Sequence, residues 1–184
     1  MAYNIKDVFY LSTSATISND TAGTGSSQLD LSAYIDPIAR GRQKGTGLAI
    51  YKVHFSLLDT AGTPVDPAEV GVFTASMQAG LGVGDNATGT AFTVTDAMFN
   101  TNALNISTIA YYGPGASANT NGFYHMVDPS KDVPYVVVRD NACLIYKMRD
   151  KTAQGDLTLS VRLECAQIGL DQATLNQLLR TQTV

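Results

Sequence analysis

The sequence predicts an all-β fold: one antiparallel β-sandwich, jelly-roll-like, of about eight strands with a short C-terminal helix. Three observations lead there. Apolar and polar residues alternate with a period of two in several long runs, the mark of a strand with one buried face. Gly, Asn, Asp and Pro clusters punctuate those runs. No long amphipathic helix separates them, which argues against βαβ units and a parallel sheet.

The first run starts at Phe9, where Phe9, Leu11, Ala15 and Ile17 alternate with Tyr10, Ser12, Ser14 and Thr16. Asn19 to Ser27 has the composition of a loop, and a short segment from Leu29 to Ile35 ends at Asp36-Pro37. A glycine-punctuated basic loop, Ala39 to Gly45, then feeds the clearest strand, Gly47 to Leu58. Its expected inward residues are Ala49, Tyr51, Val53, Phe55 and Leu57, with Lys52, His54 and Ser56 on the other face. Asp59 to Pro64 breaks it. Gly71 to Met77 and Ala91 to Thr95 read as strands around a Gly- and Asn-rich tip, Gly80 to Asn86, and Asp96 to Asn100 reads as a bend or helical turn. Ile106 to Tyr112 is a further strand, Gly113 to Gly122 a long loop, and Phe123 to Val127 a short edge strand. In the last third, Pro134 to Val138, Cys143 to Met148 and Leu157 to Cys165 are strands. Asp171 is suited to cap a helix that carries Leu175, Leu178 and Leu179 on one stripe.

The whole chain, 1–184, reads as a single domain with no internal repeat, long enough to bury a core. It is 45% hydrophobic, which argues against disorder, and only 15% charged, against about 25% in a typical soluble domain. A net charge of −4 argues against a general nucleic-acid binder, which carries a basic face. No apolar run reaches the ~20 residues that span a bilayer. Met1 to Lys6 shows no secretion signal. Cys143 and Cys165 lie in strand-like runs without a CxxC; buried free thiols are the ordinary reading, and a cross-strand disulfide is the alternative.

The residues that carry chemistry do not converge in sequence. His54 sits on the polar face of the long strand, and His125 follows two aromatics; neither belongs to an HxH or HExxH pattern. No serine lies in a G-x-S-x-G elbow. Gly80, Gly82 and Gly84 lack the Lys-Ser/Thr and the following helix of a phosphate loop. Asp128, Asp132, Asp140 and Asp150 fall near turns, where Asp is common for local reasons. Gly84-Asp85-Asn86 and Asp20 are weak calcium positions without an EF-hand pattern, and the sequons at Asn19, Asn86 and Asn105 fit chance in so Asn-rich a chain. The expectation is therefore no enzyme, no catalytic residue, no metal site, no cofactor and no small-molecule substrate.

Two features point to contacts instead. Arg40, Arg42 and Lys44 are the only local concentration of charge, suited to phosphate or to a neighbouring subunit's carboxylates. An ordinary solvated loop is the plain alternative. Leu175, Leu178 and Leu179 form an apolar stripe on a helix too short to be stable alone, which must pack on a neighbouring subunit or on the chain's own sandwich.

Two stretches, Ser32 to Gly47 running into the strand that ends at Leu58, and Val133 to Leu170, resemble single jelly-roll viral capsid proteins of small DNA viruses of microbes. The likeness covers the strand pattern over most of the chain. It implies a coat subunit that self-assembles into a shell around the genome, partnered by its own copies and by other virion proteins, located in the virion after assembly in the host cytoplasm. It also implies non-specific genome contact. Many small circular-DNA viruses hold the genome with an Arg-rich N-terminal arm, whereas Lys6 is the only basic residue here before Arg40. A membrane partner follows only for the internal-membrane type of virus. The alternative function is a β-sandwich binding module, a tail, fibre or adhesin domain that recognises glycans through exposed aromatics, with Tyr111-Tyr112 or Phe123-Tyr124 as candidates.

Overall fold

The computed structural model describes residues 7–18, 23–36, 44–65, 72–80, 105–112, 122–148 and 155–182. Among them are nine strands and one helix: β1 Phe9–Ile17, β2 Gly23–Asp30, β3 Lys44–Leu58, β4 Val72–Ala79, β5 Asn105–Tyr112, β6 Gly122–Val127, β7 Tyr135–Val137, β8 Asn141–Met148, β9 Leu157–Asp171 and α1 Gln172–Thr181. A four-stranded sheet has the order β1-β9-β3-β7, and a five-stranded sheet the order β2-β8-β4-β5-β6. All pairings are antiparallel. The chain pairs β1 with β9, β2 with β8, β3 with β7 and β4 with β5. It thus runs out and back along itself as one long folded ribbon, and rolling that ribbon up makes the two sheets. This is jelly-roll wrapping, with eight strands in the roll and β6 added as the outer edge of the larger sheet.

The core fills the space between the sheets. Leu157, Leu159, Val161, Leu163 and Cys165 of β9 face Phe73, Ala75 and Met77 of β4 and Leu144, Tyr146 and Met148 of β8. The strict alternation of β9 from Leu157 to Cys165 and the two-residue period of β8, apolar on both faces, put these residues there. The five-stranded sheet is buried on its other face as well: Ser76, Thr108, Cys143 and Ile145 are each at most 2% exposed. The hydroxyls of Ser76 and Thr108 are joined to the Asn105 amide by hydrogen bonds of 2.8–3.2 Å, so this polar group is satisfied where it is buried. Cys143 and Cys165 are free thiols in different sheets.

Two local expectations change. Gly23 to Ser27, which has the composition of a loop, is instead the first five residues of β2, paired with Met148 through Leu144. Its glycine is used by packing. A Cβ on Gly25 would lie 2.5 Å from the Tyr146 hydroxyl, so the bare backbone lets that ring cross β2 and donate to the Thr16 carbonyl at 3.0 Å. The register of β3 is the second change. Ile50 opposes Cys165 and Lys52 opposes Glu164, which leaves Tyr51 as one extra residue in a β-bulge. Before the bulge Leu48 and Ile50 face the core; after it Val53, Phe55 and Leu57 do. Ala49 and Tyr51 therefore belong to the opposite face, where they pack with Ala166. A single unbroken alternation through β3 is wrong because one inserted residue exchanges the two faces. The segments Ala91 to Thr95, Asp96 to Asn100 and Gly113 to Asn121 lie outside the described residues.

The same bulge creates the seat for α1. On the outer face, on the Lys44 side of Tyr51, Leu170 and Val138 form an apolar cluster with Leu175, and Leu178 and Leu179 pack against it. A Cβ on Gly45 would come within 2.7 Å of the Leu175 side chain, so this glycine admits the helix. Asp171 caps it by accepting from the Thr174 amide at 2.8 Å. Just past the helix, Gln182 is 2% exposed. Its side-chain amide donates to the Val136 carbonyl at 2.7 Å and accepts from the Val138 amide at 3.1 Å. β7 is the edge of its sheet, and Gln182 holds backbone groups on either side of Val137 as a further strand would.

Three substitutions test this register and this cap. Val53→Asp places an unpaired charge in the core and yields no soluble folded protein, whereas Ser56→Asp, on the exposed face of the same strand, folds with a change within about 0.5 kcal/mol. Normal folding of the Val53 variant would put the bulge elsewhere. Gln182→Ala leaves two β7 backbone groups without their partner and lowers unfolding free energy by about 1–3 kcal/mol, read by chemical denaturation.

Candidate functional site

From Lys52 onward along β3, past the bulge, the outer face of the four-stranded sheet is polar and open. The register of β1, β9 and β3 lays its residues in rows across three strands. Tyr10, Glu164 and Lys52 form one row; Ser12, Arg162 and His54 the next; Ser14, Ser160 and Ser56 the third; Thr16, Thr158 and Leu58 the last. Neighbours within a row stand about 5 Å apart at Cβ. The sequence supplies this face as the polar half of three alternating strands, and it stays open because α1 covers only the part on the Lys44 side of Tyr51.

Two diagonal contacts organise the rows. His54 Nε2 lies 2.8 Å from Glu164 Oε1, a neutral hydrogen bond with an unprotonated imidazole and an ion pair with an imidazolium. The Arg162 guanidinium lies over the Tyr10 ring, 4.9 Å from its centroid. Tyr10 is 57% exposed. Beside them runs an open groove of about 490 Å³ lined by Ser12, Thr13, Ser14, His54, Ser56, Ser160, Val161 and Arg162. Thr13 spends its hydroxyl on Ser27 at 2.9 Å. Arg162 has no carboxylate partner among the described residues.

The electrostatics separate this face from the core. The His54 hydrogen bond, aided by the charges of His54, Lys52 and Lys131, holds the Glu164 carboxyl below the usual carboxylate range. Inside, burial pushes the Cys165 thiol up to about 12, which leaves it protonated and a poor nucleophile. Burial also raises the phenols of Tyr135 and Tyr146. Among the described residues no three His, Cys, Asp or Glu side chains gather where they could hold a metal ion. Among the same residues no helix is long and apolar enough to cross a membrane.

The residues singled out in the sequence fall in other places. Arg40 and Arg42 lie outside the described residues. Lys44 is exposed at the start of β3, opposite Asp171. Leu175 is fully buried and Leu178 and Leu179 half-buried, all against the chain's own strands. His125 lies on β6, and the side chains of Tyr111, Tyr112, Phe123, Tyr124 and His125 lie outside the described residues. Asp85, Asn86, Gly82 and Gly84 do so as well. His54 alone joins the groove, in company with Arg162 and the serines of β1, β3 and β9. Each of those is visible in the sequence as a polar position of an alternating run. Their meeting depends on the pairing of the first half of β9 with both β3 and β1, which no local signal gives.

No family model matches the chain, and no curated protein matches it.

Glu164 sets a pH test. Its pKa is lower folded than the unfolded value near 4.3, so its contribution is complete above that value and disappears as the pH falls through the folded pKa. A partly exposed pair is worth at most about 1 kcal/mol. Between pH 6 and pH 3, Glu164→Gln therefore loses less thermal stability than the parent, and the two melting curves converge at the acid end. A parallel acid dependence in both proteins would remove Glu164 from the account.

Proposed function

We propose that this protein is a viral coat subunit that assembles with copies of itself into a shell enclosing a genome. The observation that carries the reading is the strand order, β1-β9-β3-β7 over β2-β8-β4-β5, because jelly rolls of this wrapping build coat proteins as well as lectin and cupin domains. Fold alone leaves those functions open, and composition weighs among them. With 15% charged residues and polarity supplied mainly by Ser, Thr and Asn, the chain has the uncharged polar composition that suits large contact areas between subunits. An isolated soluble domain ordinarily carries more surface charge, about 25–35%.

In such a shell Arg40, Arg42 and Lys44 are the local candidates for genome contact. Three phosphate contacts per subunit are weak alone and add up over many copies, and they read no bases. The same residues would serve a subunit contact by pairing with a neighbour's carboxylates. Assembly on an internal membrane would give the lipid, instead of this loop, the task of holding the genome.

The purified chain should elute as closed shells or large rings in size-exclusion chromatography and show them in negative-stain microscopy; a monomer at all concentrations and salt conditions overturns the reading. Changing Arg40, Arg42 and Lys44 together to Ala should leave shells intact with reduced nucleic-acid content. Failure to assemble in the absence of nucleic acid would assign the loop to a subunit contact.

A further inference from the structure

The groove on the four-stranded sheet has the composition of a ligand site. Its lining brings together the hydroxyls of Ser12, Ser14, Ser56 and Ser160, one guanidinium and one imidazole. Among the described residues no carboxylate lines it. Glu164, the nearest acid along β9, is engaged by His54. Arg162 has no acidic partner among the described residues, although the chain as a whole carries a net charge of −4. Its planar fork is suited to a carboxylate or sulfate, and the Tyr10 ring beneath limits where it can point. The third row adds three serine side chains in line, from three strands held by their backbones. A volume of about 490 Å³ lies within the usual ligand-site range of about 300–1,000 Å³.

We propose that this face binds an acidic saccharide. Arg162 takes the sugar's carboxylate or sulfate, the serine row takes its hydroxyls, and the exposed Tyr10 ring offers an apolar surface at the rim. Charge complementarity favours this occupant over a polynucleotide. A nucleic-acid strand presents a phosphate at every nucleotide and is met by several cations along its path. Among the described residues this groove is lined by one permanent cation, Arg162, among neutral hydroxyls. The site belongs to a single chain and does not require shell formation.

The test is calorimetric titration of the full chain, in whatever assembly state it adopts, with four probes: a hyaluronan tetrasaccharide bearing carboxylates, a sulfated κ-carrageenan disaccharide without uronate, neutral maltotriose and a ten-nucleotide oligo-dT. One or both acidic saccharides should bind, and which one does so distinguishes carboxylate from sulfate. Maltotriose should bind at least about tenfold more weakly, and Arg162→Ala should cost about the same factor for the acidic probe. Ser160→Leu, which fills the middle of the row, should abolish binding, while Lys147→Ala on the other sheet should leave it unchanged. Thermal melting of each variant confirms that the fold is retained; a Ser160 variant that fails this check is replaced by Ser14→Leu on β1. The proposal is overturned if neither acidic saccharide binds, if maltotriose binds equally well, if Arg162→Ala has no effect, or if oligo-dT binds more tightly than either saccharide.

Discussion

β9 is paired along one side with β1 and along the other with β3, and both ladders span most of its length. The first strand of the chain and the last are thereby fixed side by side, which is what closes the roll. The core follows from this placement. Five inward side chains, from Leu157 to Cys165, form the floor of the interior, and every β4 and β8 residue in the core packs toward them. So many contacts between residues distant in sequence carry a large loop-closure cost before they are made. The fold therefore has to be stabilised by the collective burial of both sheets rather than by any local element.

The bulge at Tyr51 decides what the outside of that sheet can do. One extra residue in β3 turns the face over between Ile50 and Lys52. On one side of this line the outer surface is apolar: Ala49, Tyr51, Ala166 and Leu170 lie there, and α1 covers its end. On the other it is a field of serines with His54, Glu164 and Arg162. A continuous alternation would have left β3 with a polar residue facing the core on one side or an apolar strip in water on the other. The bulge allows a 15-residue strand to serve two surfaces of opposite character.

How much of this was legible follows from the range of the signals. β1, β8, the first half of β9 and the capped helix are written in local periodicity and turn chemistry, and the structure has them where the pattern puts them. The edge position of β6 was legible from its shortness. β2 was not, because Gly23 to Ser27 lacks strand formers and is held by its partner β8 and by the ring of Tyr146. The bulge was not legible either: Ala49 and Tyr51 are apolar and buried, as a plain alternation requires, but they are buried on the other side. Gly45 reads in sequence only as part of a basic loop, and the structure shows that it makes room for Leu175. For the groove, the individual serines were plain as polar strand positions, and only strand order, a long-range property, brings them together.

The treatment of the sheet edges bears on how copies of this chain can meet. Exposed strand edges invite a second chain to add a strand. Gln182 occupies backbone groups of β7, and the Thr13 hydroxyl ties β1 to β2 through Ser27 and the Gln28 carbonyl. The Tyr146 hydroxyl engages the Thr16 carbonyl near the end of β1. Side chains thus hold backbone groups of three outer strands in their own fold. Strand addition at β7 or at Thr16 of β1 would first have to displace buried or partly buried hydrogen bonds, each costly to leave unmade. Were copies of this chain to associate, contact through side-chain surfaces would leave these hydrogen bonds in place, whereas strand addition at those positions would not.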